Sequence, residues 1–439
     1  MQYSTFAAID IGSYDVILEI FEISKKQGIR SVDKICHRME LGKDTYTLGK
    51  IRPEMEEELC RVLADFVRIM EGYRVDDYRA TASSAISEAS NSLYVLGKIH
   101  QLTGLSVTVL SNSEQRFLSY KALAAMEDNF NKIIEKGTAI LDLDGGSFQI
   151  SLFDKDALVT TQNIRMGSLR IRERLAGIQS ETEHYEEMVE ELIWNEVSSF
   201  KKMYLKDRKI ENIMLIGDVF TDSVYQNIEE KTTKIISREN FNTWYEKIIR
   251  QSPMELAVKL GIPLENASLM YPSAVIYKCL IDMMGAEHIW IPGVHMTRGI
   301  AYEYAEQMKL LKGGHNFEND ILMAAKNIGK RYAVNRPHVQ NLEMTALAMF
   351  DATKKMHGMK ERERLLLQMA VMLHDVGKYI SFNNVADSSY NIIMSNEIIG
   401  LSHIEREMVA LIARYNTVTL PSYDELVMES SLSAEQYLT

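Results

Sequence analysis

Two segments of this 439-residue chain follow one scheme, and that repetition limits the architecture more than any other feature. "FAAIDIGSYDVILEIFEI" (6–23) and "GTAILDLDGGSFQISLFD" (137–154) each read as an apolar strand, an aspartate, a glycine-containing turn and a second strand. Such units begin two similar α/β halves, and a cleft between the halves would receive both turns from opposite sides. Glycine lets main-chain N–H groups come close to a phosphate, and an aspartate beside the turn suits a hydrated hard cation. Hairpins with glycine turns also occur in mixed sheets that bind nothing.

The rest of the chain supplies the layers around those hairpins. "MEEELCRVLADFVRIMEGY" (55–73) carries apolar residues at helical spacing. "YRATASSAI" reads as a strand running into a small-residue turn, and "LSVTVLS" as a strand followed by the helix "SEQRFLSYKALAAM". The helix "MTRGIAYEYAEQMKLL" closes the α/β portion, "KGGHNFEND" (312–320) marks a boundary, and only helical periodicity follows. Three domains are expected, at 1–125, 126–311 and 318–439, because the chain is too long for one core. The closing "SSLSAEQYLT" begins as a capped helix and stops after barely two turns, so its end is expected to fray unless a partner chain covers it or the sequence is truncated there.

A net charge of −12 repels polyanions at long range, which excludes general nucleic-acid binding and means that a polyphosphate would need a local basic groove. No long apolar run and no signal-peptide layout is present, so no membrane span is expected. Cys36, Cys60 and Cys279 are odd in number and far apart, which suggests neither a disulfide framework nor a zinc knuckle. A cytoplasmic location is the expectation.

Five stretches, "IDIGSYDVILEIFEI", "TASSAISEASN", "LSNSEQRFLSYKAL", "LDLDGGSFQISLFD" and "IPGVHMTRGIAYEYAE", follow in the order and spacing of one family. Over roughly residues 4–310 the chain resembles the exopolyphosphatase/guanosine pentaphosphate phosphatase (Ppx/GppA) family. The resemblance implies an α/β fold of duplicated actin-like (ribonuclease H-like) domains followed by an all-α HD-like domain. It implies release of terminal phosphate from inorganic polyphosphate or a phosphorylated guanosine nucleotide, with Mg2+ as cofactor, in a homodimer. By that resemblance Gly12, Ser13, Gly145, Gly146 and Ser147 would hold phosphates, and Asp10 and Asp142 would hold magnesium. Asp142 and Gln149 would also belong to the catalytic centre, and matching E-Q-R to the family's E-A-R makes Glu114 the water-activating base. That match needs a one-residue gap. Without it Gln115 takes the position and the base is absent.

Several positions depart from the family pattern. Tyr14 and Asp15 replace small polar residues in the first turn, and Ser87 stands where an arginine is usual. Asp144 takes a glycine's place, Gln149 a glutamate's, and Asp218 follows Gly217 in a third turn that is usually rich in glycine and threonine. Arg298-Gly299 stands for the usual Asp-Gly. Losing a guanidinium and adding carboxylates both weaken a phosphate site. The alternative expectation is therefore an eroded member that binds an anion or nucleotide, or regulates, without turnover. In the helical region "NRPHVQNLEMTALAMFDATKKMHG" and "LLLQMAVMLHDVGKYIS" resemble an HD-type domain, whose metal ligands would be His338, His374 and Asp375. The competing reading of His374-Asp375 is a buried hydrogen-bonded pair.

Overall fold

The computed structural model describes residues 4–126, 130–155, 157–176, 185–227, 235–311 and 315–439. The chain divides into two units, Met1–Asp156 with Gln162–His315, and Ala157–Thr161 with Asn316–Thr439.

The first unit is built on two sheets. β1 (Ser4–Ile11), β2 (Asp15–Ser24), β3 (Gly28–Arg38), β4 (Asp77–Ala82) and β5 (Val107–Val109) lie in the order β3-β2-β1-β4-β5. β6 (Thr138–Leu143), β7 (Phe148–Asp154), β9 (Asn212–Ile216), β10 (Ile235–Ser237) and β11 (His288–Trp290) lie in the order β10-β11-β9-β6-β7, and β8 (Ala157–Ile164) lies across the division of the chain, with Ala157–Thr161 counted in the second unit. The duplication read from the sequence reaches the pairing itself. β1 is antiparallel to β2 and parallel to β4, while β6 is antiparallel to β7 and parallel to β9. Asp10 pairs with Ile17 and Asp142 with Gln149, each one residue before its strand ends. The two aspartates thus hold equivalent places.

Strand periodicity decides which way Asp10 looks. Ala7, Ile9 and Ile11 belong to a core with Leu59, Leu63, Phe66 and Met70 of the helix Pro53–Tyr73, the apolar stripe of the 55–73 segment. Phe6 and Ala8 belong to the opposite core, with Leu118 and with Ile300 and Tyr304. Asp10 continues that second row, so it is directed to the face covered by the helices Asn112–Met126 and Met296–Gln307. Those two helices approach closely at Gly299, where any Cβ would collide with the Leu118 carbonyl. That contact gives Arg298-Gly299 a packing role.

The second unit is helical apart from Ala157–Thr161, with Phe317–Arg331, Arg336–His357, Glu361–Leu373, Val385–Ser395 and His403–Arg414 as its main helices. Its final helix, Ala434–Leu438, does not stand free. Ser433 and Gln436 form a capping box, and the Tyr437 hydroxyl donates to the Pro421 carbonyl at 2.7 Å. No helix among the described residues is long and apolar enough to cross a membrane.

Candidate functional site

A cavity of about 140 Å³ opens beside the two hairpins. Asp10, Gly12, Tyr14 and Asp15 reach it from the first hairpin, and Asp142 and Asp144 from the second. Gln115 and Arg116 enter from the helix Asn112–Met126, with Lys34 and Arg38 from β3 and Asp222 and His295 completing the charged wall. Ser13, Gly145, Gly146, Ser147, Gln149 and Glu114 are not among the lining residues.

The turns are already occupied by the chain itself. The Gly12 N–H donates to the Asp15 carbonyl at 2.8 Å, and the Gly145 N–H donates to the Asp144 carboxylate at 2.6 Å. Asp144 therefore takes the place that a bound phosphate oxygen would need. The Ser13 hydroxyl, fully buried, is 2.8 Å from the Tyr46 hydroxyl, which is also 2.8 Å from the Ser84 hydroxyl. Tyr46 packs so tightly on Gly146 that no Cβ fits there. Arg170 covers the Tyr46 ring at 3.9 Å, donates to the Gly146 carbonyl at 2.9 Å and pairs with Glu88 at 3.0 Å. The turn tips also touch, since a Cβ on Gly145 would lie 3.1 Å from that of Ser13. Ser87 is exposed, and Ser147 accepts a hydrogen bond from Arg116 at 3.2 Å. The residues implied as phosphate ligands are thus engaged in closing the two turns on each other.

The helix Asn112–Met126 settles which residue faces the cavity. Glu114 accepts from the Ser111 N–H at 2.9 Å and the Ser111 hydroxyl at 2.7 Å, and its own N–H donates to that hydroxyl at 3.3 Å. This is a capping box, which holds the Glu114 carboxylate on its own helix start. The next residue along a helix is turned by about 100°, which brings Gln115 to the cavity instead. Gln115, which takes the position in the ungapped match, lines the cavity. Gln149 is buried, and neither end of its amide has a hydrogen-bond partner.

Buried carboxyls dominate the electrostatics. Burial pushes Asp10 well up, with Asp15 and Asp144 adding repulsion, and it raises Asp142 against the opposing pull of Arg116. Burial brings Asp15 up to about 6 although Arg38 stands 2.8 Å from it. Asp218 behind the third turn rises to about 7, again chiefly by burial. Burial lowers His295, which lies 3.5 Å from Asp222.

A magnesium ion needs hard oxygen ligands and room for water. Asp10 Oδ1, Asp142 Oδ2 and Asp218 Oδ2 are buried without hydrogen-bond partners, so oxygen is present. However, Arg116 Nη1 stands 2.9 Å from Asp142 Oδ1, with both side chains nearly inaccessible. An incoming dication would have to share that carboxylate with a buried guanidinium, and burial favours the protonated form of all three acids. The residues do not fit the magnesium centre that the resemblance implies.

In the second unit His338, His374 and Asp375 do converge, each offering a ligand atom within 4.8 Å of the others. Lys34, Arg38, Tyr46, Arg170 and Asp222 lie outside the five quoted stretches, whereas Arg116 and His295 lie inside them without a role read from the sequence. For Glu114 a signal existed, because Ser111-x-x-Glu114 is a capping-box pattern.

Comparison with known proteins agrees with the fold. The family model of the Ppx/GppA phosphatase family matches residues 20–308, and that of Ppx/GppA phosphatase domain III matches residues 322–436. The chain is 19% identical to the guanosine-5'-triphosphate,3'-diphosphate pyrophosphatase of Vibrio atlanticus, over 99% of this chain and 84% of that protein. It is 21% identical to the bifunctional 3-dehydroquinate synthase/phosphatase of Fusobacterium nucleatum over 64% of this chain, and spans 44% of that protein's length. An exopolyphosphatase structure from Cytophaga hutchinsonii shares the fold at a TM-score of 0.62, with 17% identity over 69% of this chain and 98% of that one. The Aquifex aeolicus family member does so at 0.58, with 17% identity over 70% of this chain and 99% of that one. With matching models over both units and two mixed sheets joined to a helical domain, this chain belongs to the Ppx/GppA phosphatase family.

Proposed function

We propose that this chain acts by binding, as a regulatory member of the Ppx/GppA family, rather than by cutting a phosphoanhydride. One observation carries this reading: an amide, Gln115, meets the cavity, while the neighbouring carboxylate of Glu114 caps its own helix. Phosphoryl transfer depends on positioning, charge neutralisation and a group that orients water; an amide can orient a water by hydrogen bonding but takes no proton from it, so Gln115 supplies no general base. The closed turns and the Asp144 carboxylate on the Gly145 N–H speak against gripping polyphosphate or guanosine pentaphosphate. A cavity of about 140 Å³ is also small for either chain.

A phosphate-release assay with long-chain polyphosphate and with guanosine pentaphosphate, each with magnesium, tests the reading. No release above buffer is expected, and Glu114→Gln should change nothing in that assay. Magnesium-dependent release that disappears in Glu114→Gln would sink it.

A second reading rests on Asp15, which faces the cavity with its carboxyl brought up to about 6. A carboxylate so tuned has the range of a general base near neutral pH. In that case phosphate release would appear, would rise through about pH 6, and would vanish in Asp15→Asn but not in Glu114→Gln.

A further inference from the structure

We propose that the helical unit binds a neutral amphiphile, an apolar chain or ring system carrying a hydroxyl, in a cavity of its own. The inference is independent of the first unit's cleft. The cavity holds about 860 Å³, which falls in the range of small-molecule sites. Three helices wall it: Leu342 comes from Arg336–His357, Val371 from Glu361–Leu373, and Leu411 and Ile412 from His403–Arg414. On the last of these, Met408, Leu411, Ile412 and Tyr415 follow at the spacing of an apolar helix stripe. Such a stripe ordinarily packs against a neighbouring element, and here it borders the cavity.

The apolar part of the lining is only partly covered by the chain. Leu411, Leu426 and Leu432 form a buried cluster with Tyr415 and Tyr437 packed on it. Leu342, Ile412 and Leu420 line the same space and stay exposed. An apolar ligand seated there takes their surface out of water, which is the main source of affinity in a site of this kind.

The polar groups of the lining gather at one place, and they set the head group. His338, His374 and Asp375 each offer an atom within 4.8 Å of the others. Lys378 Nζ donates to Asp375 Oδ2 at 2.6 Å. That pair cancels its own charge, so a charged head group would enter an apolar space without a counter-ion of its own. Asp375 Oδ1 stands 3.4 Å from His374 Nε2, longer than a good hydrogen bond. A hydroxyl can donate to that oxygen and accept from the exposed His338 ring, because a hydroxyl does both. The ligand is therefore an alcohol rather than an acid or an amine.

The whole chain is titrated with N-phenylnaphthylamine, a neutral probe that brightens in apolar surroundings, and the probe is then displaced by octanol, decanol and dodecanol. The expected result is one probe site per chain, with alcohol affinity rising about fourfold for each methylene buried. Dodecanoate and dodecylamine should bind at least about tenfold more weakly than dodecanol. Leu342→Trp fills the space from an exposed position, so it should leave the circular dichroism unchanged and weaken probe binding at least about tenfold. Asp375→Asn frees the Lys378 ammonium and should shift the preference from dodecanol to dodecanoate. A folded wild-type chain with no probe site overturns the proposal, including one that light scattering finds paired, since a second copy then covers the cavity. Undiminished probe binding in Leu342→Trp overturns it as well. Equal affinity of the wild-type chain for dodecanoate and dodecanol overturns the neutral head group.

Discussion

The cleft of the first unit and the histidine cluster of the second both set carboxylates against cations, and they end differently. In the cleft the cation belongs to the chain. Arg116 meets Asp142 and Ser147, Arg38 meets Asp15, and Asp144 has turned onto the Gly145 N–H. In the cluster Lys378 takes only one oxygen of Asp375, and His374 Nε2 stands 3.4 Å from the other. A site remains receptive when its polar groups are directed at one point yet are not satisfied by each other. A buried pair that is satisfied costs several kcal/mol to break, so it resists a ligand that must replace one partner.

The sharpest way to break the comparison is to remove the cleft's built-in cation. Arg116→Met leaves Asp142 buried and unpaired, which should lower stability by about 3–5 kcal/mol. Millimolar Mg2+ or Ca2+ should restore part of the loss, measured as a rise in melting temperature that wild type does not show. If wild type and Arg116→Met respond equally to the ion, Arg116 is not what excludes it.

pH gives the next effect. A carboxyl whose pKa rises on folding binds its proton more tightly in the folded state. Its stabilising contribution is complete below the ordinary carboxylate range near 4 and is lost as pH rises through the folded value. With Asp15 at about 6 and Asp218 at about 7, melting temperature should fall as pH is raised from 5 to 8. Asp218→Asn should flatten the upper part of that slope. A melting temperature that climbs over the same interval contradicts the burial argument.

Smaller still is Glu114→Gln. A glutamine keeps part of the capping box, so the loss should be about 1 kcal/mol or less, with no change in any phosphate-release rate. His338→Ala, exposed and outside the cleft, should leave the melting temperature unchanged. A stability loss would make His338 a packing residue.

Much of this was legible in the sequence. The two hairpins, their aspartates and the apolar stripe of the helix Pro53–Tyr73 follow from strand and helix periodicity, which is local. The choice between Glu114 and Gln115 was half legible. Both matches were open, and the Ser111-x-x-Glu114 pattern pointed to the cap. Tyr46 against Ser13, Ser84 and Gly146 was not legible, because those partners lie tens of residues apart and meet only through the fold. The same holds for Arg170 and Glu88. The motif residues were found, but what already occupied them was not.

The sequence by itself determined the family and the duplicated hairpins, since periodicity and short motifs are properties of neighbouring residues. Only the tertiary structure decided which side chains enter the cleft and which of their hydrogen bonds are already made. Those outcomes depend on the turn of one helix and on contacts between distant segments. Burial is what makes both of them decide the chemistry.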